Sequence, residues 1–278
     1  MTNSAPTIVG VIGDPVAHSR SPAMHNAAFQ HLGIQANYAR WHTSAQELPE
    51  RIHSLRQPGM LGANVTLPHK ISVLELLDYH APEVIAIGAA NTIIHRGDGT
   101  LAAANTDAPA VSATLRYDAH FDPRAAVVVI LGASGAARAA TYALISDGAA
   151  QITIANRSLE HAQALLAHMP ISASSLQAVG LYDEALRHYL AQADLVINAT
   201  SLGWQPEESP LDAALLPRNC LVFDMVYRPT RLQREAAAHG ARILDGAGML
   251  VRQAALAFEY WTGRPAPFDV MWAAFHNT

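Results

Sequence analysis

Asn64-Val-Thr-Leu-Pro-His-Lys70 sets a lysine just after an apolar strand and a proline turn, with the Asn64 amide and the Thr66 hydroxyl close by. A lysine held this way can give a proton to an oxygen or take one from it. That makes Lys70 a candidate general acid and base. The ordinary alternative is an exposed lysine opening a helix, because Lys is mostly a surface residue. A second candidate group is the stretch Gly13-Asp-Pro-Val-Ala-His-Ser-Arg-Ser-Pro22. It puts Ser19 and Ser21 at a loop-to-helix boundary, where two hydroxyls beside a helix N-terminus suit a carboxylate. N-capping accounts for Ser21 but not for both serines. Asn105-Thr106-Asp107 supplies a third group. Asp107 could cap the following helix or could face the lysine, and spacing alone leaves both open.

A nucleotide signal lies further on. The β-branched run Val127–Leu131 leads into Gly132-Ala133-Ser134-Gly135-Ala136-Ala137. A glycine turn between a strand and a helix sets backbone N–H groups and the positive end of the helix dipole against a phosphate. Gly132 suits the tight turn, and Gly135, Ser134, Ala136 and Ala137 allow close approach. The match to the dinucleotide fingerprint is imperfect, since Ser134 and Ala137 hold its second and third glycine positions. The next strand ends in Asn156-Arg157-Ser158. An NAD site usually has an acid there for the ribose 2′-hydroxyl. A guanidinium instead can pair two N–H groups with a 2′-phosphate, which favours NADP.

These groups must be carried by strands and helices in alternation. Thr7–Gly13, Asn37–Trp41 and Gly62–Val65 read as strands, with helices over about Ser21–Leu32 (Ser21 its N-cap), Ala45–Gln57 and Lys70–Leu77. Asn91–Ile94 and Thr100–Ala104 flank Gly97-Asp98-Gly99 as a hairpin, so the first sheet is mixed. Val127–Leu131, Ile152–Ala155, Leu195–Asn198, Leu221–Asp224 and Arg242–Leu244 form a second, parallel and doubly wound series. Ala247–Thr262 is a long final helix. The fold class is therefore α/β. An N-terminal α/β substrate domain with a mixed sheet is expected over residues 1–110 and 246–278, the C-terminal helix returning to it. A Rossmann-like domain is expected over residues 111–245.

Composition bounds the function. A chain of 278 residues fits roughly two domains. Half of the residues are hydrophobic, 50%, against 15% charged, which argues for buried cores and against disorder. The net charge of −5 gives no basic surplus for nucleic acid. One cysteine, Cys220, cannot make an internal disulfide, which suits a reducing, cytoplasmic setting. The sequence shows no secretory signal pattern and no apolar run of membrane-spanning length. No metal is expected, since neither His-Glu-x-x-His nor Cys-x-x-Cys spacing occurs. The oligomeric state stays open, a homodimer included.

In order along nearly the whole chain, these segments resemble the shikimate dehydrogenase family. The resemblance is carried by His18-Ser-Arg-Ser-Pro22, Met24-His-Asn26, Asn64–Lys70, Gly88-Ala-Ala-Asn-Thr92, Asn105-Thr-Asp107, Gly132–Ala137 and Asn156-Arg-Ser158. It continues through Ile197-Asn-Ala-Thr-Ser201, Asp224-Met-Val-Tyr227, Asp245-Gly-Ala-Gly-Met-Leu250, Gln253 and Phe258–Gly263. It implies an oxidoreductase of aromatic amino acid biosynthesis that reversibly reduces 3-dehydroshikimate to shikimate with NADPH. On that resemblance Ser19 and Ser21 would bind the substrate carboxylate. Thr66, Asn91, Asp107, Tyr227 and Gln253 would hold ring hydroxyls or the reacting oxygen, and Lys70 and Asp107 would be the catalytic pair. Gly132, Ala133, Ser134, Gly135 and Ala136 would cradle the pyrophosphate, and Asn156, Arg157 and Ser158 the 2′-phosphate. Thr200, Met225, Gly248 and Met249 would line the nicotinamide side. For shikimate oxidation the lysine must be neutral, so that direction is expected to quicken as pH rises.

Three departures from the family pattern stand out. Ala103 and Ala110 replace glycines flanking Asn-Thr-Asp, His161 stands where a further basic residue is common, and the stretch after Tyr227 is shorter by about two residues. The last bears on substrate choice. The nearest alternatives are a quinate or aminoshikimate dehydrogenase of the same family and a non-catalytic sensing domain. The two serines and the retained lysine, aspartate and glycine turn weigh against both.

Overall fold

The computed structural model of the protein describes residues 7–170 and 174–277. The strands are β1 (Thr7–Gly13), β2 (Ala36–His42), β3 (Met60–Val65), β4 (Tyr79–His80), β5 (Thr92–His95), β6 (Leu101–Ala104), β7 (Val127–Leu131), β8 (Gln151–Asn156), β9 (Ser175–Gly180), β10 (Leu195–Asn198), β11 (Leu221–Asp224) and β12 (Arg242–Leu244). The α-helices are α1 (Ser21–His31), α2 (Leu48–Ser54), α3 (Pro82–Ile87), α4 (Asp107–Tyr117), α5 (Gly135–Ser146), α6 (Leu159–His168), α7 (Ala185–Leu190), α8 (Arg231–His239), α9 (Ala247–Thr262) and α10 (Phe268–His276). They fall into two compact units, Met1–Thr106 with Val251–Thr278, and Asp107–Leu250.

The first unit holds a six-stranded sheet in the order β2-β1-β3-β5-β6-β4. β1 runs parallel to β2 and β3, while β5 runs antiparallel to β3 and β6, so the sheet is mixed as the hairpin requires. β1 is central and apolar along most of its length, the pattern of a strand covered on both faces. One face packs on α2 and α3 through Ile12, Ile52, Leu55, Val65, Val84 and Ile93. Gly62 sits at φ +134°, and a Cβ there would come within 2.0 Å of the Ile93 carbonyl oxygen. Only glycine lets β3 lie this close to β5. The same carbonyl accepts the Trp261 Nε1–H at 2.9 Å, which ties α9 to the hairpin. The tail helix α10 packs on α1. There Arg20 donates to the Phe275 carbonyl at 3.1 Å and lies 4.7 Å over its ring.

The second unit is a six-stranded parallel sheet in the order β12-β11-β10-β7-β8-β9. Counted from β7, this is the 3-2-1-4-5-6 order of a dinucleotide-binding sheet. The α/β class, with one mixed and one doubly wound sheet, is therefore what the alternation of elements indicated.

Local details differ from expectation. Ser21 is not the N-cap of α1: Arg20 holds that position in helical conformation, with no side-chain cap bond, and Ser21 is drawn inside the helix. The helix expected from Lys70 is only a 3-10 turn over Ser72–Leu76. The Lys70 carbonyl accepts the N–H of Ala90 at 2.8 Å, a partner from another segment. β9 is an edge strand absent from the sequence reading: its residues are mostly exposed or half-exposed, so its apolar alternation is faint.

Candidate active site

The residues singled out for chemistry stand mainly at the C-terminal ends of strands. Ser19 and Ser21 follow β1, and Thr66–Lys70 follow β3. Gly132–Ala136 follow β7, Asn156–Ser158 close and follow β8, and Thr200 and Met225 follow β10 and β11. In open α/β sheets this edge is where ligands bind.

In the first unit the loops after β1 and β3 are joined by backbone bonds. The Asp14 N–H donates to the Leu67 carbonyl at 2.9 Å, and the Thr66 N–H to Ile12 at 2.8 Å. The Ser21 N–H donates to Ser19 Oγ at 3.3 Å, so the two serines stand side by side. Arg40 on β2 fixes this loop by donating Nε–H and Nη2–H to the Ser19 carbonyl at 3.1 and 2.6 Å. Lys70, half-buried, leaves a turn anchored from below by His69. His69 Nε2 lies 2.6 Å from the Thr43 carbonyl, and a carbonyl only accepts, so Nε2 carries the proton.

Beside that turn lies a buried network of amides and hydroxyls. Asn91 Nδ2 donates to Thr106 Oγ1 at 2.8 Å and to Gln253 Oε1 at 3.3 Å. Asn91 Oδ1 accepts the Thr106 N–H at 2.7 Å. Asn64 Nδ2 donates to the Asn91 carbonyl and to Thr92 Oγ1, each at 3.2 Å. Tyr38 donates its hydroxyl to Asn64 Oδ1 at 2.7 Å. Burial raises the Tyr38 phenol well above its ordinary range. Asn91 and Gln253 were both marked in the sequence, and the fold brings them together from opposite ends of the chain. Thr106 and Tyr38 are not among the candidates that the sequence offers, and Asn64 enters there only as a neighbour of Lys70. Asn64 joins the network through the register that pairs it with Thr92 across β3 and β5, which the folded sheet sets. No local pattern pointed to Tyr38.

In the second unit the glycine turn is pressed against the end of β10. Gly132 has φ +105°, and a Cβ there would lie 3.1 Å from the Ala199 carbonyl oxygen and 3.2 Å from Thr200 Cγ2. Ser134 donates its hydroxyl to the same carbonyl at 3.0 Å and caps α5 by accepting the Ala137 N–H at 3.4 Å. The first turn of α5 keeps N–H groups without helical partners, which suit an anion. At the end of β8, Asn156 Nδ2 donates to the Ser158 carbonyl at 2.9 Å. Ser158 caps α6, and Arg157 is exposed between them. This turn and this arginine fit a phosphorylated dinucleotide.

Thr200 and Met225 depend on a buried carboxylate, Asp224. Its oxygens accept from Asn198 Nδ2 at 2.9 Å, the Val226 N–H at 3.1 Å and the Thr230 hydroxyl at 2.6 Å. Burial pushes the Asp224 carboxyl up, and these donors oppose the shift. Asn198 Oδ1 in turn accepts the Thr200 hydroxyl at 2.7 Å. Tyr227 stands edge-on to Trp204 at 5.2 Å, and Arg228 lies 4.4 Å over the same indole. Gly248 and Met249 are buried in the first turn of α9. Asp107 is buried and opens α4. Among the described residues no group of His, Cys, Asp and Glu is arranged to hold a metal ion, and no helix is long and apolar enough to cross a membrane.

Comparison with known proteins adds three matching regions. Residues 11–93 match a shikimate dehydrogenase substrate binding domain, 118–204 a shikimate / quinate 5-dehydrogenase family, and 246–274 a shikimate 5'-dehydrogenase C-terminal domain. A shikimate dehydrogenase (NADP(+)) of Symbiobacterium thermophilum is 45% identical over 95% of this chain and 92% of its own. Among solved structures, the shikimate 5-dehydrogenase of Thermus thermophilus in complex with NADP(H) and shikimate has a TM-score of 0.86 at 37% identity, covering 98% of this chain and 99% of its own. The quinate dehydrogenase of Corynebacterium glutamicum in complex with NAD has a TM-score of 0.87 at 30% identity, covering 98% and 99%.

Proposed function

The chain belongs to the shikimate dehydrogenase family, and from that premise we propose that it reversibly reduces 3-dehydroshikimate to shikimate with NADPH in aromatic amino acid biosynthesis. It is an NADP-dependent oxidoreductase. The observation that carries the substrate reading is the buried network of Asn64, Asn91, Thr106 and Gln253 beside the turn of Lys70. Amides and hydroxyls that partner one another in this way can turn donors and acceptors to a ring bearing several hydroxyls. In this reading residues 1–110 and 246–278 serve as the substrate domain, and residues 111–245 hold the cofactor.

Ser19 and Ser21 bind the carboxylate, and Thr66, Asn91, Asp107, Tyr227 and Gln253 position the hydroxyls and the reacting oxygen. The closed turn at Gly132, with Ala133, Ser134, Gly135 and Ala136, holds the pyrophosphate. Arg157, with Asn156 and Ser158, holds the 2′-phosphate, and Thr200, Met225, Gly248 and Met249 line the nicotinamide. When bound, the cofactor supplies the hydride. As the ketone carbon is reduced its oxygen gains negative charge. The Lys70 ammonium stabilises that charge and delivers the proton, acting with Asp107. The proposed chemistry needs no metal. The single cysteine supports a cytoplasmic setting.

A matrix of shikimate and quinate, each assayed with NADP and with NAD, tests the reading. The shikimate–NADP pair should give the highest kcat/KM. Preference for quinate with NAD would transfer the chain to the quinate-oxidising branch.

A further inference from the structure

Tyr227 stands three residues beyond β11, in a stretch shorter than the family pattern by about two residues. Its backbone is held from α8. Gln233 donates Nε2–H to the carbonyls of Val226 and Arg228, each at 3.3 Å, and so grips the chain on either side of Tyr227. Its ring is held from the loop after β10. Trp204 stands edge-on to it, with centroids 5.2 Å apart and planes at 84°, a favoured geometry for two aromatic rings. Arg228 folds back over the same indole, its guanidinium carbon 4.4 Å from the ring centre. Trp204 and Tyr227 are half-buried and Arg228 is exposed, so the three form a cluster at the surface and not a piece of the core.

The loop that carries Trp204 is itself pinned on both sides of the indole. Gly203 has φ +115°, and a Cβ there would lie 3.0 Å from Thr230 Cγ2, so the chain just before Trp204 lies against the start of α8. Just after it, the Pro206 carbonyl accepts from Arg234 Nη2 at 3.5 Å and the Glu207 carbonyl from Arg231 Nη1 at 3.2 Å. One helix, α8, therefore anchors the indole's loop and the Tyr227 backbone together. Two rings carried on a common support keep a fixed angle to each other.

We infer that Trp204 is a positioning residue: it sets the Tyr227 ring so that the phenol is placed for the substrate, and Arg228 holds the indole in that role. This rests on the reading of Tyr227 as a substrate contact. Trp204 acts only through Tyr227. Its loss leaves Lys70 and Asp107 unchanged, so the cost falls on substrate binding and not on turnover.

Steady-state kinetics of the full chain with shikimate and NADP test this. Trp204→Leu should raise KM for shikimate roughly three- to tenfold, the range of an aromatic pair, with kcat within about twofold of wild type. KM for NADP should hold, which separates a freed ring from a collapsed loop, since Thr200 lies on the same segment. Trp204→Phe keeps an aromatic partner and should recover most of the loss. Arg228→Met should raise the shikimate KM about two- to fivefold. In a Tyr227→Phe background no phenol is left to place, and Trp204→Leu should add nothing further. An equal rise in both backgrounds would overturn the inference and leave Tyr227 as a substrate contact. A wild-type shikimate KM in Trp204→Leu would also overturn it, as would a matching rise in KM for NADP. If Tyr227→Phe alone left the shikimate KM unchanged, the reading of Tyr227 would fall and the inference with it.

Discussion

Replacing His25 by Phe should flatten the acid side of the stability profile. His25 is fully buried and neither ring nitrogen has a hydrogen-bond partner, and burial lowers its pKa from 6.5 to about 3. The unfolded chain takes up a proton near the ordinary value, while the folded protein refuses it until far lower pH. The sign follows: the contribution is complete above the unfolded value and is lost as pH falls between 6.5 and about 3. At about pH 5, some 1.5 units below the unfolded value, the loss is about 2 kcal/mol at 1.36 kcal/mol per unit. Phe keeps a ring against Tyr38 and does not titrate. Urea unfolding at about pH 7.5 and about pH 5 would be followed by tryptophan fluorescence, with Trp261 a near neighbour. The wild type should lose about 2 kcal/mol more than the variant between these values. Other titrating groups are common to both proteins and drop out of the comparison. Equal losses would refute the argument, as would a His25 ring signal titrating near its ordinary value in the folded protein.

Lys70→Ala should lower turnover by roughly 10²- to 10⁴-fold with a smaller change in shikimate affinity, measured by steady-state kinetics and calorimetry, because a proton donor acts in the transition state. Arg157→Ala should weaken NADP by about 1.5–3 kcal/mol, the range for a bond to a charged group, and spare NAD; titration with each cofactor checks it, and equal losses would remove the phosphate role. Gly132→Ala forces a side chain into φ +105° against Ala199 and Thr200. A loss of about 1–3 kcal/mol in stability is expected, with a higher KM for NADP than for shikimate relative to wild type, read by thermal unfolding and kinetics.

Asp224 explains how the ends of β10 and β11, the side proposed for the nicotinamide, are built. Its one buried carboxylate gathers donors from the ends of β10, β11 and α8. Thr200 is oriented through Asn198, and the backbone leading to Tyr227 is held at Val226. The motifs Ile197–Ser201 and Asp224–Tyr227, read separately in the sequence, are two halves of one hydrogen-bonded structure.

What the sequence by itself determined was whatever depends on neighbours along the chain. The β-branched run of β7, the glycine turn after it, the hairpin around Gly97-Asp98-Gly99 and the alternation of strand and helix are local preferences, and they sufficed for all but the edge strands β4 and β9 of the two sheets. Tertiary structure decided the rest because its causes lie far away in sequence. The helix beyond Lys70 is cut to a 3-10 turn where an N–H from Ala90 takes the Lys70 carbonyl. Ser21 reads as an N-cap, but Arg20 takes that position, held in place by the Phe275 carbonyl from the far end of the chain, and Ser21 falls inside the helix. Asn91 meets Gln253 only after α9 rejoins the first sheet. A hydrogen bond needs two partners at one distance and angle, and when they are 162 residues apart only the folded chain supplies both.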